Sequence, residues 1–258
     1  MKINFRLTKV LLMSIVVGLL SSTVFTGCGK RIPVQKKPVI SKIGNDNFSK
    51  TLKKEPQTSL VIGIVDPKTK VEGGKDSQEL ARALSTSISE IISAKGFKLK
   101  GPYQSFDDIT YRDKKMIYLA VRPTLTLKIK DKQQVVRHSL YNQVKGVLTV
   151  SGDLVISFEE PMTGQIFIKR RINLSDLDIS VPYVREYQTR LSSGGLTGAV
   201  MDSATAPDTL VNTYDYAMSQ VNNEIYKKVI TKIAKYIDRE EIISFKSDIL
   251  KLKGLKRF

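Results

Sequence analysis

Along the chain, apolar and polar positions fall into a few distinct rhythms, and each predicts an element. Val10 to Leu20 is an apolar run broken only by Ser14 and Gly18. Residues 28–58 sustain neither the strand nor the helix period and are punctuated by Pro33, Pro38 and Pro56; such a segment cannot bury enough apolar surface to order itself. Ser59 to Val65 is a short apolar run closed by Asp66-Pro67, which predicts a buried strand. Asp76 and Glu79 then have capping-box spacing ahead of Leu80, Leu84, Ile88, Ile91 and Ile92, one face of a helix. Lys95-Gly96 supplies its basic last turn and C′ glycine. Phe97 to Leu99 leads into a second strand, so the body opens as a strand-helix-strand unit.

Antiparallel signals follow. Met116 to Val121 and Thr124 to Ile129 are apolar or alternating runs separated by Arg122-Pro123, so the proline predicts an edge or a bulge. Val144 to Phe158 alternates, with Val144, Leu148, Val150, Leu154, Ile156 and Phe158 on one parity, and Gln165 to Leu174 answers it. Between them Glu159 to Gly164 places Pro161 and Gly164 for a tight reversal, a hairpin. Val181 to Ala206 is polar and includes Ser192-Ser193-Gly194-Gly195, which predicts a long mobile loop. Pro207-Asp208 introduces a long helix with Leu210, Tyr214, Ala217, Val221, Ile225, Val229, Ile233 and Ile237 at steps of three or four. A final helix is expected over Arg239 to Leu252. The sum is an α+β fold: a mixed, mostly antiparallel sheet with helices packed on one face, including a long C-terminal helix.

Composition changes the picture most at the N-terminus. The 258 residues carry 42 Lys+Arg against 25 Asp+Glu, a net charge of +17, with one Cys, one His and no Trp. A single Cys forms no intramolecular disulfide, and with one His it builds no Cys/His zinc cage. Lys2, Arg6 and Lys9 precede the first apolar run. That run falls short of the roughly 20 residues that span a bilayer and has the shape of a secretory signal. It is followed by Phe25-Thr26-Gly27-Cys28, which resembles the bacterial lipobox. That resemblance implies a chain cut before Cys28 and acylated there with palmitate-type chains, a membrane anchor. Gly29 in place of Asp favours the outer membrane. Residues 1–27 are therefore expected to be a lipoprotein signal peptide, 28–58 a basic disordered tether and 59–258 a single domain. Export, and the division of the positive charge among these three parts, argue against a nucleic-acid partner.

Catalytic constellations are sparse. His138 has no acid or nucleophile near it in sequence, which fits a solvated strand or loop position, although a triad can assemble in space. Glu159 and Glu160 are adjacent, so in a strand they face opposite ways, as turn-flanking acids would. Asp176 and Asp178 lack the Asn/Asp/Gly density and distal Glu of a calcium loop. Gly194-Gly195 lacks the Lys-Ser/Thr of a phosphate loop. No enzyme activity, cofactor or metal is expected.

Gly146-Val147-Leu148, Glu160-Pro161-Met162-Thr163-Gly164, Leu174-Ser175-Asp176-Leu177-Asp178-Ile179 and Ser192-Ser193-Gly194-Gly195-Leu196 stand in the order and spacing of the neuraminyllactose-binding hemagglutinin family of Helicobacter-type adhesin lipoproteins. The chain resembles that family from roughly 59 to 253. The resemblance implies an acylated outer-membrane or surface protein, associated with the flagellar sheath and binding sialylated glycans. The stretch proposed to meet sialic acid in the family's namesake corresponds to about Lys130 to Ser139 here. It implies Lys130, Lys132, Arg137 and His138 as the ligand-binding set, with Arg137 as a bidentate carboxylate donor and the lysines as point charges. The same residues also read as charges guarding a strand edge. Two roles stay open: an adhesin for sialylated glycans, or a structural lipoprotein that binds another envelope or flagellar-sheath component and no sugar.

Overall fold

The computed structural model describes residues 43–44, 48–72, 77–138, 141–188 and 209–255. Its first half runs α1 (Phe48–Thr51), β1 (Val61–Val65), β2 (Lys68–Glu72), α2 (Ser77–Ala94), β3 (Lys98–Tyr103), α3 (Tyr111–Met116) and β4 (Leu119–Arg137). The second runs β5 (Tyr141–Glu159), β6 (Ile166–Asn173), a 3-10 turn (Leu174–Leu177), β7 (Ser180–Gln188), β8 (Thr209–Asn212), α4 (Tyr214–Tyr236), α5 (Arg239–Ser244) and α6 (Lys246–Leu255).

The spine of the sheet is the antiparallel pair β4–β5, in one unshifted register from Ala120 opposite Glu159 to Arg137 opposite Asn142. Shorter strands flank it end to end. On the outer side of β4, β1 pairs along Leu119–Val121 and β2 along Thr124–Lys128, both parallel. On the outer side of β5, β6 covers one half and β7 the other, both antiparallel. Parallel β3 extends the sheet beyond β1, and β8 extends it beyond β7. Pro123 falls opposite the break between β1 and β2, where its missing N–H interrupts no ladder.

Strand alternation sorts the faces. Leu119, Val121, Leu125, Leu127 and Ile129 of β4, with Leu148, Val150, Leu154, Ile156 and Phe158 of β5, enter the main core beneath α2 and α4. Ser87 Oγ and Tyr226 OH, 2.6 Å apart, link those two helices. On the opposite face α3 and its approach cover only one end of the sheet, where Val65, Ile109, Ile117 and Ala120 make a small second cluster. The expected mixed sheet with helices on one face is thus present, with α3 as an addition.

Several boundaries differ from expectation. α2 ends as foreseen: Gly96 at φ +84 donates to Ser93 O, and Phe97 N donates to Ile92 O. A Cβ at Gly96 would lie 2.1 Å from Pro56 O, because the preceding segment docks there. Glu55 N donates to Ala94 O and Thr58 N to Gly96 O, both at 2.7 Å, and Ile43, Phe48 and Leu52 pack on the core. The final part of the expected tether is therefore ordered, held by the need of α2's terminal carbonyls for donors. The rest of that tether, the signal with Cys28 and the cap position Asp76 lie outside the described residues.

The loop expected from Val181 begins instead as strand β7, and residues 189–208, including Ser192 to Gly195, lie outside the described residues. The long helix starts at Tyr214 because Thr209–Asn212 pairs with β7 and Asn212 Oδ1 accepts from Tyr214 N at 3.0 Å. The single final helix is two, α5 and α6, broken at Phe245, whose ring meets Phe167 edge-on at 5.3 Å.

Candidate functional site

Beyond Lys128, β4 has no partner but β5 among the described residues, and this distal ribbon is backed by β7 and β8. Register places three rows of side chains on its helix side. The first is Gln133, Gly146 and Tyr183; the second Val135, Val144, Arg185 and Asn212; the third Arg137, Asn142 and Tyr187.

Tyr183 organises the strip. Its ring lies across Gly146, where a Cβ would come within 2.2 Å of the ring carbons, so only glycine admits it. Its hydroxyl donates to Asp131 at 2.7–2.8 Å and accepts from Gln133 Nε2 at 2.8 Å. Burial, with the adjacent Asp131 carboxylate, pushes the Tyr183 phenol up to about 12. The Arg185 guanidinium stacks over the Tyr214 ring at 3.9 Å and lies 5.2 Å from that of Tyr183. The two tyrosines meet edge-on at 5.0 Å. Arg185 Nε is buried and has no hydrogen-bond partner among the described residues. Thr213, just before α4, ties the strip to β7 by accepting from Val184 N at 2.9 Å.

The four residues expected to bind ligand are not brought together. Arg137 lies on the helix side, in the third row, exposed and without an ion pair among the described residues. Lys130 and Lys132 project from the opposite face, opposite Thr149 and Val147, because strand neighbours alternate. His138 sits at the tip: its backbone N–H donates to Tyr141 O at 2.9 Å and its ring stacks on Tyr141 at 4.4 Å. The free edge of β4 past Lys128 also matches the reading of these lysines as edge guards.

The acidic candidates are structural. Glu159 is buried, accepting from Arg122 Nη2 at 2.6 Å and Ser157 Oγ at 2.8 Å. Glu160, also buried, accepts from the backbone of Met162 and Thr163 and from the Thr163 hydroxyl. Lys253 lies 3.9 Å from it and donates to the carbonyls of Lys114, Lys115 and Ile117, so α6 is latched to α3 and to the β5–β6 reversal. Burial draws the Lys253 ammonium below its usual range, against the pull of Glu160. Both glutamates thus flank the β5–β6 turn as expected, and their burial makes them anchors of that reversal. Asp176 accepts from Asn173 Nδ2 and Asp178 is a left-handed cap at φ 48. Among the described residues no three His, Cys, Asp or Glu side chains converge as metal ligands.

Tyr183 and Arg185 escape the sequence reading because 181–206 reads as loop, and Tyr214 reads there only as a position on the apolar face of the long helix. The available signal was Val181, Tyr183, Arg185 and Tyr187 recurring at every second position.

Comparison with known proteins adds a lineage to this geometry. A family model described as neuraminyllactose-binding hemagglutinin precursor matches residues 14–256. The chain is 25% identical over 178 residues to the neuraminyllactose-binding hemagglutinin of Helicobacter pylori strain 26695, and 24% identical over 178 residues to that of strain J99. Each match covers 65% of this chain and 65% of the relative, so the chain spans just under two thirds of those relatives' length. The crystal structure of a neuraminyllactose-binding hemagglutinin homolog from Helicobacter pylori superposes with a TM-score of 0.52 at 17% identity, covering 77% of this chain and 94% of that one. That likeness is one of fold.

Proposed function

We propose, from the premise that the chain belongs to the neuraminyllactose-binding hemagglutinin family, that it is a non-catalytic envelope lipoprotein that binds a sialylated glycan on the helix side of its distal ribbon. In this reading Cys28 is acylated and holds the protein at the outer membrane, and the folded body presents the strip to solvent.

The observation that carries the reading is the strip itself. Two guanidinium groups, Arg137 and Arg185, stand one row apart among the rings of Tyr187 and Tyr214 and the amides of Gln133 and Asn142, over the buried Tyr183. An acidic sugar asks for these groups. Its carboxylate accepts paired N–H bonds from a guanidinium fork, its ring face packs on an aromatic side chain, and its hydroxyls exchange hydrogen bonds with amides. Arg137, exposed and free of an ion pair among the described residues, is the carboxylate donor, while Arg185 is pre-set by its stack on Tyr214. Lys130 and Lys132, on the other face, contribute long-range attraction alone. The names of the Helicobacter pylori relatives supply the ligand class.

Binding of the full chain to sialyllactose and to its desialylated form tests this. Arg137→Ala and Arg185→Ala are each expected to weaken sialyllactose binding by about tenfold or more, the scale of a lost charged hydrogen bond, while Lys132→Ala leaves it within about twofold. Equal binding of both sugars, or indifference to both arginines, overturns the reading. A body closed to protease in intact cells would favour a structural role in the envelope or flagellar sheath instead.

A further inference from the structure

The face of the sheet opposite α2 and α4 is cationic wherever α3 does not cover it, and neither the core nor the glycan strip accounts for this. β2 contributes Lys68 and Lys70, in register with Thr124 and Thr126. β4 contributes Lys128, Lys130 and Lys132, and β5 contributes Lys145. Lys169 and Arg171 of β6 complete the set, opposite Ser157 and Val155. All are exposed. They outnumber Glu72, Asp153 and Glu186, the acids that the described strands place on the same face. Only two of the cations are paired: Lys128 with Glu72 at 3.0 Å and Arg171 with Asp153 at 3.3 Å. Among the described residues the others make no ion pair.

We propose that this face docks on a membrane surface, against an anionic layer of phosphate-bearing lipid headgroups. The proposal depends neither on acylation of Cys28 nor on glycan binding.

Edge protection explains part of the charge but not its sidedness. A charge on either face would guard the free edge of β4, yet the helix side of that edge carries Asp131, Gln133, Val135 and a single cation, Arg137, at the tip. Lys145 is on an inner strand, between β4 and β7, where no edge exists. The chemistry favours a diffuse partner. All but one of these cations are lysines, hydrated point charges rather than the planar forks that read one phosphate or carboxylate bidentately. They spread over four strands instead of tracking a groove. Thr149 and Ser151 lie between them, with hydroxyls directed at Lys130 O and Lys128 O. A single-stranded nucleic acid needs stacking platforms along such a surface. Here the aromatic rings, Tyr141 and His138, are stacked on each other at the ribbon tip. A tyrosine there suits a headgroup interface.

The test is co-sedimentation of the full chain with phosphatidylcholine vesicles, with and without phosphatidylglycerol. The N-terminal segment contributes equally to every variant, so the readout is the gain conferred by the anionic lipid. Combining Lys130→Glu, Lys132→Glu and Lys145→Glu should reduce that gain by more than about a hundredfold, since loss of each lysine's attraction alone is worth roughly fivefold at an anionic surface and the new carboxylates add repulsion. The same three positions changed to Gln, a milder change that keeps the chain's fold if the reversals do not, should reduce it on the order of a hundredfold. The charge-matched control Lys227→Glu, Lys235→Glu and Lys251→Glu, on α4 and α6, should leave it within about twofold. Equal loss in face and control variants reduces the effect to net charge and overturns the proposal, as does no loss in either. Loss of heparin or RNA binding with vesicle binding intact would also overturn it, in favour of a soluble polyanion.

Discussion

Gly146 and Tyr183 show how one missing side chain sets a surface. Tyr183 is 2% exposed although it lies near the end of a ribbon, because the space a Cβ would occupy on Gly146 is filled by its ring. Gly146→Ala should displace that ring, detach its hydroxyl from Asp131 and cost about 1–3 kcal/mol, as overpacking does; the fall in urea midpoint measures it. The same variant has a spectroscopic signature. The Tyr183 phenol is raised from 10.0 to about 12, so its contribution to stability is full below pH 10 and is lost as pH rises through about 12. In the alanine variant one phenol should titrate closer to pH 10 by phenolate absorbance. Had the absorbance curve stayed unchanged, the ring would not depend on Gly146. None of this is legible locally: Gly146 and Tyr183 are far apart in sequence, and only the β5–β7 register joins them. Arg137 was legible as a guanidinium donor, but its separation from Lys130 and Lys132 was legible only once that stretch was known to be strand.

Among the elements, α4 is the one that the pattern of apolar positions describes best. Ala217, Val221, Ile225, Val229 and Ile233 are all buried on its core face, as steps of three and four require. Ile225→Ala should therefore cost about 2–5 kcal/mol, while Leu250→Ala on α6, 58% exposed, should cost less than about 0.5 kcal/mol; chemical denaturation of both variants separates them. Equal costs would mean that α4 is not the helix that closes the core. The β5–β6 hairpin was equally plain, since Pro161 and Gly164 mark its reversal and Gly164 N donates to Glu160 O at 2.8 Å. β2 was invisible for a physical reason. Lys68, Thr69 and Lys70 are exposed, and what makes them a strand is the free edge of β4 beside them. β7 hid behind Pro182 and Arg185, and with it the start of α4 shifted past β8.

For the whole molecule the fold class followed from element order, whereas the character of each face did not. The proposed anchor is a matter of one residue. Cys28→Ser should move the protein from the membrane to the soluble fraction, or leave it as an uncleaved precursor, and abolish incorporation of labelled palmitate; continued labelling would place the lipid elsewhere or on another group. The two proposed surfaces are compatible, because cationic side chains against a headgroup layer leave the arginine and tyrosine strip turned outward. That arrangement rests on the unshifted pairing of β4 with β5. A side chain's face is decided by counting residues from the core, so the ribbon has a parity. Two residues added to each strand at the tip lengthen it harmlessly. One residue inserted within β4 between Lys128 and Lys130 would exchange inside for outside along everything beyond it, handing Lys130 and Lys132 to the sugar side and Arg137 to the lipid side. The ribbon can drift in length, but only by even steps.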